Sequence, residues 1–174
     1  MSIFKKLFGG SGKSDNNSEN KKLDLEKLLS SDDTNGSIIE LDNFIGEICS
    51  YGDDMEKLTD EQKLFYYNQC LEREINNGGF SQYFFNSSGD FAHKTVKSLQ
   101  TIGANKTADI LQKAIDQFPN SNVPENRTER QEILEQIQET AELIWEELDQ
   151  KFFNYEDDLN TLNIEFVRKN KNYF

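Results

Sequence analysis

Residues 128–152 read TERQEILEQIQETAELIWEELDQKF, and the periodicity of this stretch sets the fold class. At about 100° per residue, Ile133, Leu134, Ile137, Ala141, Ile144, Trp145, Leu148 and Phe152 fall within about 120° of arc. Glu132, Glu135, Glu139, Glu142, Glu146 and Asp149 fall on the opposite side. The spacing predicts one amphipathic helix over about 129–151, opened by Thr128 with Gln131 as a capping box. A helix this long with one apolar face must lie against other helices or against a sheet.

Working outward, the punctuation predicts helices throughout. Ser37 with Glu40 forms a capping box ahead of Ile38, Leu41, Phe44, Ile45 and Ile48, and Gly52 stands where a C-terminal cap is expected. Thr59 with Gln62 repeats the device for a helix that aligns Leu64, Leu71 and Ile75 and stops at Asn76-Asn77-Gly78-Gly79. A short aromatic element (Phe80, Tyr83, Phe84) and a turn at 86–89 follow. Further helices are predicted over about 90–102 (stopped by Gly103), 105–118 (stopped by Pro119) and 156–169, with a loop between Pro119 and Pro124. No stretch alternates as a strand does, and no repeat of fixed period is found. The expected architecture is all-α, a compact irregular bundle of about six to seven helices. Residues 37–174 form its single domain, and residues 1–36 a Gly/Ser/Asn-rich flexible tail or linker whose first 22 residues are basic, with a net +3.

The 174 residues carry 32 Asp and Glu against 19 Lys and Arg, a net charge of −13. A surface so negative repels nucleic acid and anionic lipid, so a charged partner is expected to be basic. The charge is segregated: residues 32–61 and 129–158 each carry a net −9, and residues 62–128 a net +1. Along the 128–152 helix the six carboxylates fall about 5 Å apart, sparser than the ~3.4 Å between phosphates on one DNA strand. Two readings follow: a solvated face that keeps the protein soluble, or an anionic surface that occupies a DNA-binding cleft, its density completed by the 32–61 segment or by a second subunit. Cys49 and Cys70 lie in apolar helical patterns and read as buried free thiols of a reducing compartment, which points to the cytoplasm. The first ten residues lack the apolar core of a secretory signal, and Ile3, Phe4, Leu7 and Phe8 make too short an apolar turn for firm membrane contact.

The stretch Glu74-Ile-Asn-Asn-Gly-Gly-Phe-Ser-Gln-Tyr-Phe-Phe-Asn-Ser-Ser-Gly-Asp90, followed by Leu99, Ile102-Gly103-Ala104 and the Ala108, Leu111, Ala114 helix, resembles a bacterial family typified by a dimeric DNA-mimic protein. Most of its members have no assigned function. The resemblance covers about residues 60–170. It implies an all-helical fold and, for the typifying member, an acidic dimer that binds a helix-turn-helix repressor in place of its operator. The motif residues Asn76, Asn77, Gly78, Gly79, Phe80, Gln82, Tyr83, Phe84, Asn86 and Gly89 also have a structural account: the Asn and Gly residues reverse the chain, and the aromatics plug into the core. The functional alternative is a small polar pocket lined by Asn77, Gln82 and Asn86.

Catalytic constellations are absent from the sequence. Gly9-Gly-Ser-Gly-Lys-Ser14 lacks the first glycine of a phosphate loop, where Leu7 stands, and no strand precedes it. His93 follows Asp90 at helical spacing, but the chain has one His, which rules out a di-iron pair, and neither Cys stands beside a candidate base in sequence. No cofactor and no metal are expected. The expected function is that of a non-enzymatic acidic protein binding a basic partner, a DNA-binding regulator being the case the resemblance implies, through Glu132, Glu135, Glu139, Glu142, Glu146 and Asp149. A homodimer is expected on the same ground. The alternatives are an immunity or antitoxin-like protein neutralising a cognate toxin, and a ligand pocket at Asn77, Gln82 and Asn86.

Overall fold

A computed structural model describes residues 23–174, and the expectations for residues 1–22 of the tail, its apolar turn and the Gly9–Ser14 loop lie outside the described residues. Among the described residues are seven α-helices and no strand: α1 (Leu25–Leu29), α2 (Thr34–Ile48), α3 (Asp60–Phe85), α4 (Ala92–Ile102), α5 (Asn105–Ile115), α6 (Arg127–Phe152) and α7 (Leu159–Lys169). Short 3-10 turns at Ser50–Gly52, Met55–Lys57, Ser87–Phe91, Pro119–Ser121 and Lys171–Tyr173 connect or follow them. The all-α bundle expected from periodicity is the fold.

α3 is the spine, packing on α2, α4, α6 and the Ser87–Phe91 turn. One apolar core joins its C-terminal half to α4, α5 and α6 through Leu71, Ile75, Phe84, Leu99, Leu111 and Trp145. A second joins its N-terminal half to α1, α2 and α7 through Leu28, Ile45, Phe65, Tyr66 and Val167. At the centre of the first, Phe84 meets Phe118 and Trp145 with ring centroids 4.9 and 5.3 Å apart, and the Trp145 indole N–H donates to the Ala114 carbonyl at 3.1 Å.

The Thr59–Gln62 capping box forms as expected, each side chain bonding the other's backbone N–H at 3.0–3.1 Å. Two other caps move. α2 starts at Thr34 because Asp33 Oδ1 accepts the Gly36 N–H at 2.9 Å, one turn ahead of the expected Ser37 cap. Ser37 is instead buried inside the helix, its hydroxyl donating to the Leu28 carbonyl. That bond ties α2 to α1, whose Leu28 and Leu29 are buried, so the packed body starts ahead of residue 37. α6 is capped by Asn126, which accepts the Glu129 N–H at 3.1 Å, and not by Thr128. α7 begins at Leu159 under an Asp158 cap, three residues later than expected. For α2 and α6 a side chain of equal or greater capping power lay within about a turn of the expected one.

The Asn76–Gly79 stop is a sharp break, after which the chain resumes as helix to Phe85. Gly79 takes φ 71° and ψ −170°, a region open in practice to glycine alone. A Cβ there would run into the Asp149 carboxylate. The expected aromatic element is therefore a helical continuation that drives Phe80, Tyr83 and Phe84 into the core, all fully buried. Gly79→Ala is expected to cost about 2–3 kcal/mol from strain alone. A drop in melting temperature below about 4 °C would show that the break relaxes without loss.

Candidate functional site

Five of the six carboxylates expected on the open side of α6 are there. Glu132, Glu135, Glu139, Glu142 and Glu146 are exposed, and among the described residues none forms an ion pair. The row runs about 21 Å, at about 1.5 Å per residue. Opposite it, Leu134, Ala141, Trp145, Leu148 and Phe152 are buried. Ile144, expected inside, is 40% exposed beside Leu143 at 70%: it shares one edge of the apolar arc with the half-buried Ile133 and Ile137, while Leu134, Trp145 and Phe152 towards the other edge are buried.

Asp149 leaves the row. Its Oδ1 accepts the Phe80 N–H at 2.9 Å, capping the backbone that the Gly78–Gly79 break leaves free. Burial raises its carboxyl pKa, and the Phe80 bond partly offsets that. The carboxylate is a strut between α6 and α3.

The motif residues do not make one pocket. Gln82 Nε2 and Asn86 Nδ2 both donate to Glu74 Oε2, at 2.7 and 2.8 Å, and the Ser88 hydroxyl donates to Glu74 Oε1 at 3.1 Å. Asn77 is exposed and lines a separate hollow with Glu146, Gln150 and Phe153. Gln82 and Asn86 spend their amides on Glu74 and lock the chain reversal. A cleft of about 450 Å³ beside Glu74 runs between α2, α3 and the Ser87–Phe91 turn and also holds Asp42, Asp53, Asp90 and Arg73.

Below that turn lies the group that local sequence reasoning missed. Arg130 is fully buried and uses all five N–H donors: Nε to Phe84 O, Nη1 to the carbonyls of Pro124 and Glu125, and Nη2 to Asn86 O and Asp90 Oδ1. Gly89 is required by its passage, since a Cβ would come 2.7 Å from Arg130 Nε. The signal was present in the sequence: Arg130 stands one turn before Leu134 on the apolar side of α6. His93 is likewise structural, its Nε2 accepting the Val123 N–H at 3.2 Å and holding the loop after α5 against α4.

The two acidic blocks meet on the exposed edge of α3. Asp42 of α2 pairs with Arg73 at 2.7 Å, and Glu72 accepts the Tyr155 hydroxyl at 3.1 Å. Burial pushes the Asp42 carboxyl up against the opposing pull of Arg73. Burial also raises Glu72, opposed by the Tyr155 hydrogen bond and reinforced by Asp42 and Asp158. Groups whose folded pKa lies above the unfolded value bind more protons when folded, so their contribution to stability grows as pH falls from neutral towards the ordinary carboxylate range of about 4. Asp54, held low by its bonds to Lys57 and Ser50, acts oppositely only at more acid pH. The melting temperature is thus expected to rise between about pH 7 and about pH 5, and a flat or falling calorimetric profile would contradict this.

Among the described residues no three His, Cys, Asp or Glu side chains come together as metal ligands, and no helix is long and apolar enough to cross a membrane. Cys49 and Cys70 are buried and unpaired, and burial pushes the Cys70 thiol up to about 12. No curated protein and no solved structure matches the chain. The sequence pattern of the family described as DMP19-like protein matches residues 56–170, from the Met55–Lys57 turn through α7 and including the whole Glu74–Asp90 stretch. On that span, well over half of its length, the chain belongs to the DMP19-like protein family.

Proposed function

We propose that the protein is a non-enzymatic binding protein whose acidic face engages a basic protein, acting as a DNA mimic that occupies the DNA-binding surface of a regulator such as a helix-turn-helix protein. The observation that carries the reading is the row of five carboxylates on α6, exposed and unpaired among the described residues. A purely solvating face would be served as well by mixed charges, which also form i,i+4 pairs within the helix. A single-sign row forgoes that stabilisation and instead projects a field that steers a cationic partner. One row is sparser than a DNA strand, and a homodimer would bring a second. The two unpaired thiols fit a reducing compartment, and we place the protein in the cytoplasm.

The test is capture of the partner from a native lysate, followed by competition. Affinity is expected to fall by about tenfold or more as NaCl rises from about 0.05 to about 0.3 M. The captured protein is expected to release its DNA as this protein is added. A partner that holds DNA and this protein together would rule out mimicry. A toxin as the partner would support the immunity reading instead.

A further inference from the structure

A groove of about 510 Å³ on α2 opens beside the first described residue, with Leu23 as one wall and Ile39, Glu40, Asn43, Phe44 and Glu47 of the helix lining the rest. At about 100° per residue, Ile39 and Phe44 stand at the two edges of an arc of about 140°, and Glu40, Asn43 and Glu47 fall between them. Ile39 is 61% exposed, whereas Phe44 and Leu23 are half-buried against the second core. Glu40 and Glu47 are exposed, and among the described residues neither forms an ion pair. Across the arc the surface is apolar, acidic and apolar in turn. A fitting occupant offers apolar groups on either side of positive charge.

The chain itself contains such a segment. Ile3-Phe4-Lys5-Lys6-Leu7-Phe8 sets two apolar pairs around two lysines, opposite in charge to residues 32–61 with their net −9. Residues 9–22 separate it from Leu23, and a chain of that length spans about 20 Å at coil dimensions. From Ile39 to Glu47 the helix rises about 12 Å, and Leu23, where the tether ends, already lines the groove. Reach and site therefore match. Six residues are too short to hold a membrane firmly, but a tethered segment needs little affinity. At an effective concentration of the order of 1 mM, a segment that binds at about 0.1 mM is seated in about nine chains of ten.

We propose that residues 3–8 dock in cis in this groove, their apolar pairs against Leu23, Ile39 and Phe44 and their two lysines beside Glu40 and Glu47. Docking places two positive charges on the 32–61 block and takes that block from the surface a basic partner would meet. That consequence rests on the binding function proposed above; the docking itself does not.

The test attaches a nitroxide to the full chain at Ser2→Cys, the native thiols Cys49 and Cys70 being buried, and follows backbone amides by NMR. Amides of Ile39, Asn43, Phe44 and Glu47 are expected to relax about threefold faster or more than in a labelled chain that also carries Phe4→Ser and Leu7→Ser, where the tether alone keeps the label near. Amides of α5, which packs on α4 and α6, are expected to show no such difference. Glu40→Lys with Glu47→Lys is expected to remove the enhancement from the groove side and to keep the melting transition, since both residues are exposed. Equal relaxation with and without the two serine substitutions overturns the inference. An enhancement seen only between nitroxide-labelled and isotope-labelled copies overturns it too, because the occupant is then a second chain. So does uptake of the segment by phosphatidylglycerol vesicles with no enhancement at the groove before they are added. No basic partner enters the measurement, so the docking and the proposed function fail separately.

Discussion

Arg130→Met is expected to lower the unfolding free energy by about 3–5 kcal/mol, the cost of breaking a buried pair by removing one partner. That is a large share of the roughly 5–15 kcal/mol that holds a domain folded. Methionine keeps much of the stem volume and removes every donor, so the loss measures the hydrogen bonds and not a cavity. Four carbonyls and the Asp90 carboxylate lose a partner at once, three of them at 2.6–2.7 Å. These acceptors belong to the end of α3, the Ser87–Phe91 turn and the loop before α6, so the guanidinium ties three segments together at that end of the bundle. The readout is urea denaturation followed by fluorescence of Trp145, the only tryptophan, whose ring lies 5.3 Å from that of Phe84, the residue whose carbonyl Arg130 holds. Arg130→Lys is expected to recover part of the loss, because three donors on a point charge cannot reach five acceptors laid out for a fork. A cost under about 1 kcal/mol for Arg130→Met would mean that water replaces the guanidinium and that this centre is not structural.

What was legible in the sequence was whatever is carried within one helical turn or one helical face. The amphipathic period of residues 128–152 located α6 and five exposed carboxylates, and Thr59 with Gln62 marked the start of α3. Gly79 and Gly103 marked a break and a stop, because positive φ is a local demand on one residue. The same locality explains the failures. Asp149 shares the angular position of the row, yet a backbone N–H 69 residues away claims its carboxylate, and no i,i+3 rule reports on that. Glu74 opens the motif in the sequence, but only the chain reversal brings Gln82, Asn86 and Ser88 onto it. Two of the three polar residues that looked like a pocket, Gln82 and Asn86, are instead donors to Glu74 across the break, and Asn77 points to a separate hollow.

Reversal of Glu135, Glu139, Glu142 and Glu146 to Lys is expected to weaken capture of a basic partner by about a thousandfold or more, while leaving the melting temperature within a few degrees. The fold is expected to survive because all four are exposed and unpaired among the described residues, and Lys matches Glu in helix propensity. Like-sign repulsion along the helix is present before and after, so it cancels to first order. Binding suffers twice, since four attractions are lost and four repulsions replace them, each juxtaposition of like charges costing of the order of 1 kcal/mol or more. The decisive comparison is with Glu40→Lys and Glu47→Lys on α2, two exposed acids of the other acidic block and outside the matched family span. If the blocks act as one surface, that pair is expected to lower affinity by about tenfold and to flatten the salt dependence further when combined with the α6 reversals. If α2 merely keeps the protein soluble, the pair leaves the partner bound, and the interface is the single row on α6. Retention of the partner by the α6 quadruple variant at low salt would remove the acidic face from the mechanism altogether.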